Sequence, residues 1–341
     1  MNIKAGFCGT VGNTPLIEIP SLSKLTGCRI LGKAEFLNPG GSVKDRAALG
    51  IVLDAIASGR LKPGGTIIEG TAGNTGIGLT HVANALGYKT VIVIPNTQSQ
   101  EKIDYLLAIG ADVRPVPAVP YSNPENFNHV ACRLAEELPN AVWANQFDNV
   151  ANRIYHEQTT GPEIWQQTQG TIDAFVTAVG SGGTLAGVSR YLKSQRSSVH
   201  TVCVDPYGAA MYSWFKKGHL EDVVGGSITE GIGQMRVTAN LENAPIDDAI
   251  RIPDAPVLEM VHYLAYHEGL FLGSSAALNV LGAVQMARKL GPGKTVVTIL
   301  CDGAGRYLSR LFNEQWLNEK GLKPKARGLE FIESESSIAS C

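Results

Sequence analysis

The chain has 341 residues, more than one compact core usually holds, so two domains are expected. A hydrophobic content of 44% with 18% charged residues excludes a disordered chain. The 29 basic and 31 acidic residues leave a net charge of −2, which supplies no field for tracking nucleic acid or an anionic membrane.

Taken in chain order, the first informative stretch is the turn Asn38-Pro39-Gly40-Gly41 together with the residues just after it. Ser42 with Asp45 three residues on is a capping-box pattern, and an apolar run from Ala47 to Ile56 succeeds it, so a helix is expected from Ser42. That helix carries Lys44 in its first turn, where the macrodipole disfavours a cation. Either the side chain turns away into water, or the site uses a lysine that sheds its charge.

Strands are expected over 66–69, 90–95, 111–116, 174–179, 200–205 and 295–301, with helices over 79–86, 100–109, 127–138 and 185–192. Strand, crossover helix, strand is the signature of a parallel α/β sheet, and continuous apolar runs imply strands buried on both faces. The strands fall into two groups, before and after Asn145-Gln146-Phe147-Asp148, so the expected fold is α/β with two doubly wound domains around a shared cleft. The stretch from Pro115 to Phe127 holds four prolines and reads as a long surface loop. The six cysteines (Cys8, Cys28, Cys132, Cys203, Cys301 and Cys341) lack CxxC spacing, which suggests reduced thiols in a reducing compartment. No signal peptide or membrane span is expected, and no metal site.

Two glycine loops join strands to helices: Gly70-Thr71-Ala72-Gly73-Asn74-Thr75-Gly76-Ile77-Gly78 and Gly180-Ser181-Gly182-Gly183-Thr184. Glycines there let backbone approach a ligand, and the helix N-terminus offers free N–H groups to an anion. The second loop is the better phosphate cradle. Neither is a Walker A motif and neither matches the dinucleotide fingerprint. Either loop alone could be a tight turn and nothing more; two of them, with Lys44 at a third helix start, favour a site. Further candidates are Thr229-Glu230-Gly231-Ile232-Gly233-Gln234 and Gly273-Ser274-Ser275, where serines ordinarily serve as helix caps. His81, His129, His156, His262 and His267 fall in helical patterns and read as packed or exposed.

In combination, Val11-Gly12-Asn13-Thr14-Pro15-Leu16, the Asn38–Arg46 stretch, Gly73-Asn74-Thr75-Gly76, Thr159-Thr160-Gly161-Pro162-Glu163-Ile164 and Gly180–Thr184 resemble the cysteine synthase and cystathionine β-synthase family of pyridoxal-phosphate enzymes. The resemblance runs over roughly residues 8 to 312 and implies the fold type II architecture, similar to the tryptophan synthase β subunit. It implies a smaller mobile domain (1–15 and 38–149), a larger cofactor-anchoring domain (16–37 and 150–322) and a flexible tail (323–341). It further implies that Lys44 forms the Schiff base and shuttles protons, that Asn74 holds the cofactor's 3′-oxygen, and that Gly180, Ser181, Gly182, Gly183 and Thr184 hold its phosphate. Ser274 would meet the pyridine nitrogen. Thr71, Gly73, Thr75 and Gln146 would bind the substrate carboxylate, and Gly231 would face the substrate.

The implied reaction is a β-replacement through an aminoacrylate, making L-cysteine from O-acetyl-L-serine and sulfide. Three departures from the common pattern bear on this: Ala72 in place of a hydroxyl residue, Asp302 in Leu300-Cys301-Asp302-Gly303, and a longer 117–126 stretch. They resemble a branch that includes cysteine desulfhydrases, so β-elimination to sulfide, pyruvate and ammonia is the alternative. Cystathionine β-synthase activity and a non-catalytic phosphate-binding module are lower alternatives. Asp302 is either an electrostatic group near the pyridine edge or a loop cap. The family also implies a cytoplasmic homodimer and, as a partner, the C-terminal tail of serine acetyltransferase.

Overall fold

The computed structural model describes residues 3–325 and 328–334. Ten strands form two sheets: β1 (Leu16–Glu18), β2 (Arg29–Ala34), β3 (Thr66–Gly70), β4 (Lys89–Pro95), β5 (Asp112–Val116), β6 (Ala141–Trp143), β7 (Ala174–Ala178), β8 (His200–Pro206), β9 (Asp248–Ile252) and β10 (Thr295–Leu300). The six-stranded sheet runs β1-β2-β10-β7-β8-β9 and the four-stranded sheet β5-β4-β3-β6. Every pairing is parallel except that of β1 with β2. Helices cover both sheets, which gives the expected α/β architecture of two doubly wound units.

The apolar runs follow from that layering. Along the larger sheet Ile30, Ala174, Val176, Val202, Val204 and Val296 pack into one core, while their neighbours Leu31, Phe175, Cys203 and Val297 pack into a second on the opposite face. In the smaller sheet Ile92 and Ile94 face one core, and Val91 and Val93 the other. A strand with helices on both faces must be apolar at every position, so it reads as a continuous run. No helix among the described residues is long and apolar enough to cross a membrane.

Two expectations are corrected. The helix expected from Ser42 begins at Lys44 (Lys44–Ala57), and the reciprocal cap does not form. Ser42 Oγ instead accepts from Lys44 N at 3.2 Å, while the Asp45 carboxylate reaches back past Ser42 to Gly40 N at 2.6 Å. The cause is tertiary: Val43 N donates to the carbonyl of Cys301, at the end of β10, which holds the chain out of helix until Lys44. The tail expected to be frayed is in part packed. Helix Glu330–Ser334 places Ile332 in the larger core at 4% exposure, and Arg288 donates to the Ile332 carbonyl at 3.2 Å. Residues 326–327 and 335–341, Cys341 included, lie outside the described residues.

Candidate active site

The loops at the C-terminal ends of the strands of both sheets enclose a cleft of about 160 Å³. The smaller unit contributes Lys44, Thr71, Gly73, Asn74, Thr75 and Gln146 to its wall, and the larger unit contributes Ser181 and Gly231. These are eight of the residues singled out in the sequence. Gly180, Gly182, Gly183 and Thr184 adjoin Ser181 in the same loop but do not themselves line the cleft, and the cleft wall carries Ser275 where the sequence pointed to Ser274. Ser274 is buried as the first residue of helix Ser274–Leu290.

Each side chain is held from behind. Gln146 is gripped on all sides: its side-chain oxygen accepts from Thr75 Oγ1 (2.6 Å), its N–H donates to Glu69 (3.3 Å), and its carbonyl accepts from Asn152 (2.9 Å) and Asn240 (2.8 Å). Burial pushes the Glu69 carboxyl up to about 8, so the acid that holds the Gln146 backbone stays neutral at pH 7. Lys44 opens its helix with Arg46 one half-turn on. Arg46 is fully buried and paired with Glu35 (2.7 Å) and Glu163 (2.7 Å), and Glu163 also takes Lys33 (2.6 Å). This ionic cluster ties the start of the Lys44 helix to β2 and to helix Thr160–Gln167.

Asn74 is fixed at both ends of its amide. Its Nδ2 donates to Asp302 (2.7 Å) and its Oδ1 accepts from Arg306 (2.7 Å). Asp302 also accepts from the Tyr307 hydroxyl, while its other oxygen is buried and without a partner. Asp302 is therefore a buried brace between the two units. Burial, then the nearby Asp302 carboxylate, holds the Tyr307 phenol well above its ordinary range.

Several cleft residues were given no role in the sequence: Lys102, Phe127, Phe147 and Tyr307, with Glu230 and Cys301 named only as members of longer stretches. Lys102 is 2% exposed, pairs with Glu230 at 2.6 Å and lies 4.5 Å from the centre of the Tyr307 ring. Burial lowers its pKa against the pull of Glu230. A signal for it existed: Lys102 stands in the first turn of helix Gln100–Ala108, the same misplaced charge that drew attention to Lys44. Burial pushes the Cys301 thiol up to about 11, so it is not a ready nucleophile.

The arrangement is a cleft whose wall carries Lys44 and the Glu230-paired Lys102, a small-residue loop at a helix N-terminus, and the polar side chains of Thr71, Thr75 and Gln146. The family of pyridoxal-phosphate dependent enzymes matches this chain over residues 8–302. The chain belongs to that family. Cysteine synthase 1 of Neurospora crassa is 57% identical over 94% of this chain and 86% of its own length. Cysteine synthase 1 of Emericella nidulans is 56% identical over 93% and 87%. Among solved structures, an O-acetylserine-dependent cystathionine β-synthase from Helicobacter pylori is 34% identical with a TM-score of 0.81, over 91% of this chain and 99% of that one.

The cofactor of the family is pyridoxal phosphate, and the residues present fit it. A Cβ on Gly183 would overlap Asn152 Oδ1, so only glycine fits at this helix N-terminus, where backbone N–H groups are offered to an anion. Asn74 and Ser181 present polar side chains in the cleft wall, one from each side. Lys44 supplies the amine within the same wall.

Proposed function

We propose that this enzyme is a cysteine synthase, making L-cysteine from O-acetyl-L-serine and sulfide, with the active site in the cleft between the two sheets. The observation that carries the site is the meeting of Lys44, Asn74 and the Thr71–Gln146 pocket from one sheet with the 180–184 loop from the other. The high identity to two cysteine synthases supports the choice of reaction.

Pyridoxal phosphate supplies an aldehyde that takes up an amine and a ring that draws electrons from the substrate's α-carbon. Gly180–Thr184 hold its phosphate through backbone N–H groups and the Thr184 hydroxyl. Asn74, with one amide N–H on Asp302, offers the other to the 3′-oxygen, and Ser274 meets the pyridine nitrogen. Thr71, the Gly73 backbone, Thr75 and Gln146 hold the substrate carboxylate, and this fixes which bond at the α-carbon faces Lys44. Lys44 Nζ takes the α-proton and returns it. Gly231 keeps the opposite wall free of a side chain. Phe127, Phe147 and Tyr307 line the cleft and exclude water while the β-position is exchanged.

The smaller unit (1–15 and 38–149) closes on the larger (16–37 and 150–322). The enzyme is a homodimer of the cytoplasm, a reading supported by the free state of all five described cysteines and by exposed Tyr266 and Phe271 as apolar surface for a second copy. A C-terminal carboxylate, such as that of the serine acetyltransferase tail, fits the same Thr71–Gln146 pocket as the substrate.

The test follows the visible spectrum of the holoenzyme on adding O-acetylserine and then sulfide, beside a sample given cysteine alone and one given homocysteine. A new band discharged by sulfide, with cysteine as product, is expected. Rapid release of sulfide and pyruvate from cysteine, with negligible synthesis, would overturn the reaction assigned. Lys44→Ala is expected to lose covalent cofactor attachment and turnover while keeping its circular dichroism.

A further inference from the structure

Behind the 180–184 loop runs helix Ala151–Gln158, crossing helix Gly183–Gln195. Asn152 and His156 are four residues apart, so they share the face that meets the loop. Both are 1% exposed. Asn152 Nδ2 donates to Ser181 Oγ at 2.8 Å and to the Gln146 carbonyl at 2.9 Å. His156 lies between two threonines, with Nδ1 2.8 Å from Thr160 Oγ1 and Nε2 3.2 Å from Thr184 Oγ1.

We propose that Asn152 and His156 are positioning residues for the phosphate loop, and that His156 is locked as the Nε2–H tautomer so that Thr184 keeps its hydroxyl proton for a phosphate oxygen. The inference rests on the reading of residues 180–184 as the phosphate cradle and deepens it. Burial, followed by the charges of Arg46 and Lys44, holds His156 well below the ordinary imidazole range, so the ring is neutral and has one donor and one acceptor. Among the described residues, Thr160 Oγ1 has only His156 Nδ1 within hydrogen-bond reach. A buried hydroxyl proton needs an acceptor, so Thr160 donates to Nδ1. The ring proton is then on Nε2, and Nε2–H donates to Thr184 Oγ1. The Thr184 proton points away from the ring, toward the cleft side of the loop. Asn152 does the matching work at Ser181, and because it also holds the Gln146 carbonyl, it couples the phosphate loop to the substrate-carboxylate pocket.

The experiment measures the dissociation constant for pyridoxal phosphate by rebinding to apoenzyme. It also records the ³¹P resonance of the holoenzyme and the tautomer of His156 by ring-¹⁵N labelling. Expected are an Nε2–H ring in the wild type and a loss of cofactor affinity of about tenfold in His156→Phe, the scale of one lost hydrogen bond (roughly 1.4 kcal/mol). A shifted ³¹P signal should accompany that loss, and His156→Gln, which keeps a donor, should recover most of the affinity. Asn152→Ala should weaken both cofactor retention and the spectral titration with O-acetylserine. If His156→Phe fails to fold, Thr160→Val carries the test, since it removes only the donor to Nδ1 and should change the tautomer and the ³¹P signal. An Nδ1–H ring in the wild type overturns the inference. So do unchanged affinity and ³¹P signal in the His156 and Thr160 variants while Thr184→Val still binds cofactor weakly, and in that case the phosphate reading stands. If Thr184→Val also binds cofactor normally, the phosphate reading falls with it.

Discussion

Lys102 and Lys44 share an electrostatic fault, a cation in the first turn of a helix, and the structure resolves it in opposite ways. Lys102 is matched by Glu230, whereas Lys44 is half-buried and faces the cleft. The chain spends its carboxylates two residues further on, at Arg46. Glu163 is the exposed edge of that cluster. Burial alone would raise its pKa, but the hydrogen bond and charge of Arg46, with Lys33, bring it down to about 2. A folded value below the ordinary glutamate value of about 4.3 means that the carboxylate stabilises the fold fully above that pH. The contribution fades as pH falls toward 2. Glu163→Gln should therefore cost on the order of 3 kcal/mol at pH 7, seen as a lower urea midpoint, and the gap to the wild type should narrow by about half in titrations taken down to pH 3. A gap that persists unchanged at pH 3 would show that the loss is one of packing and not of charge.

At the scale of elements, the site depends on how closely helix Ala151–Gln158 approaches helix Gly183–Gln195. A Cβ on Gly187 would overlap the Arg153 carbonyl and come within 2.8 Å of His156 Cβ, so only glycine permits the crossing. Gly187→Ala should push the helices apart and loosen the 180–184 loop, with cofactor affinity down by about tenfold or more and helix content retained. Calorimetry of cofactor rebinding checks this, and wild-type affinity would rule out the helix crossing as the support of the loop. Much of this level was legible in the sequence. The long buried strands announced themselves as apolar runs, and the glycine loops as turns between strand and helix. Less legible were β1, β2, β6 and β9. β2 reads Arg-Ile-Leu-Gly-Lys-Ala, with glycine and lysine in its middle, because Lys33 is neutralised by Glu163, which lies far along the chain. β1 and β6 have three residues each, too few to show a period. The true start of the Lys44 helix is hidden for the same reason: a capping box is local, and the Val43–Cys301 hydrogen bond that overrides it is not. Lys102 and His156 have their meaning only through Glu230 and Thr184, which no spacing rule connects to them.

Across the whole molecule, the two units touch along both rims of the cleft. On one rim Lys102 and Arg310 share Glu230, Ser309 donates twice to Glu101 (2.8 and 2.9 Å), and Ser99 donates to the Arg306 carbonyl (3.0 Å). On the other, the 117–126 loop lays Tyr121 over Arg236, 4.8 Å from the ring centre, and Arg236 is paired with Asp148 at 2.7 Å. The first rim depends on one carboxylate that serves two cations. Glu230→Gln should free both, so amide exchange over residues 97–102 and 306–310 should speed up several-fold while the sheet cores keep their protection. Unchanged exchange there would mean that the Ser309–Glu101 bonds suffice to hold the rim. The pairing of β2 with β10 has a further consequence, for synthesis. Residues 29–34 leave the ribosome roughly 260 residues ahead of 295–300, the strand that covers their parallel edge. At about 5–20 residues per second that is roughly 13 to 50 seconds with an open strand edge, long enough for the smaller sheet to fold in the interval. The early β1–β2 pair is therefore the segment of the nascent chain most exposed to mispairing with a neighbouring chain, and the last of the described strands to be made is the one that ends the risk.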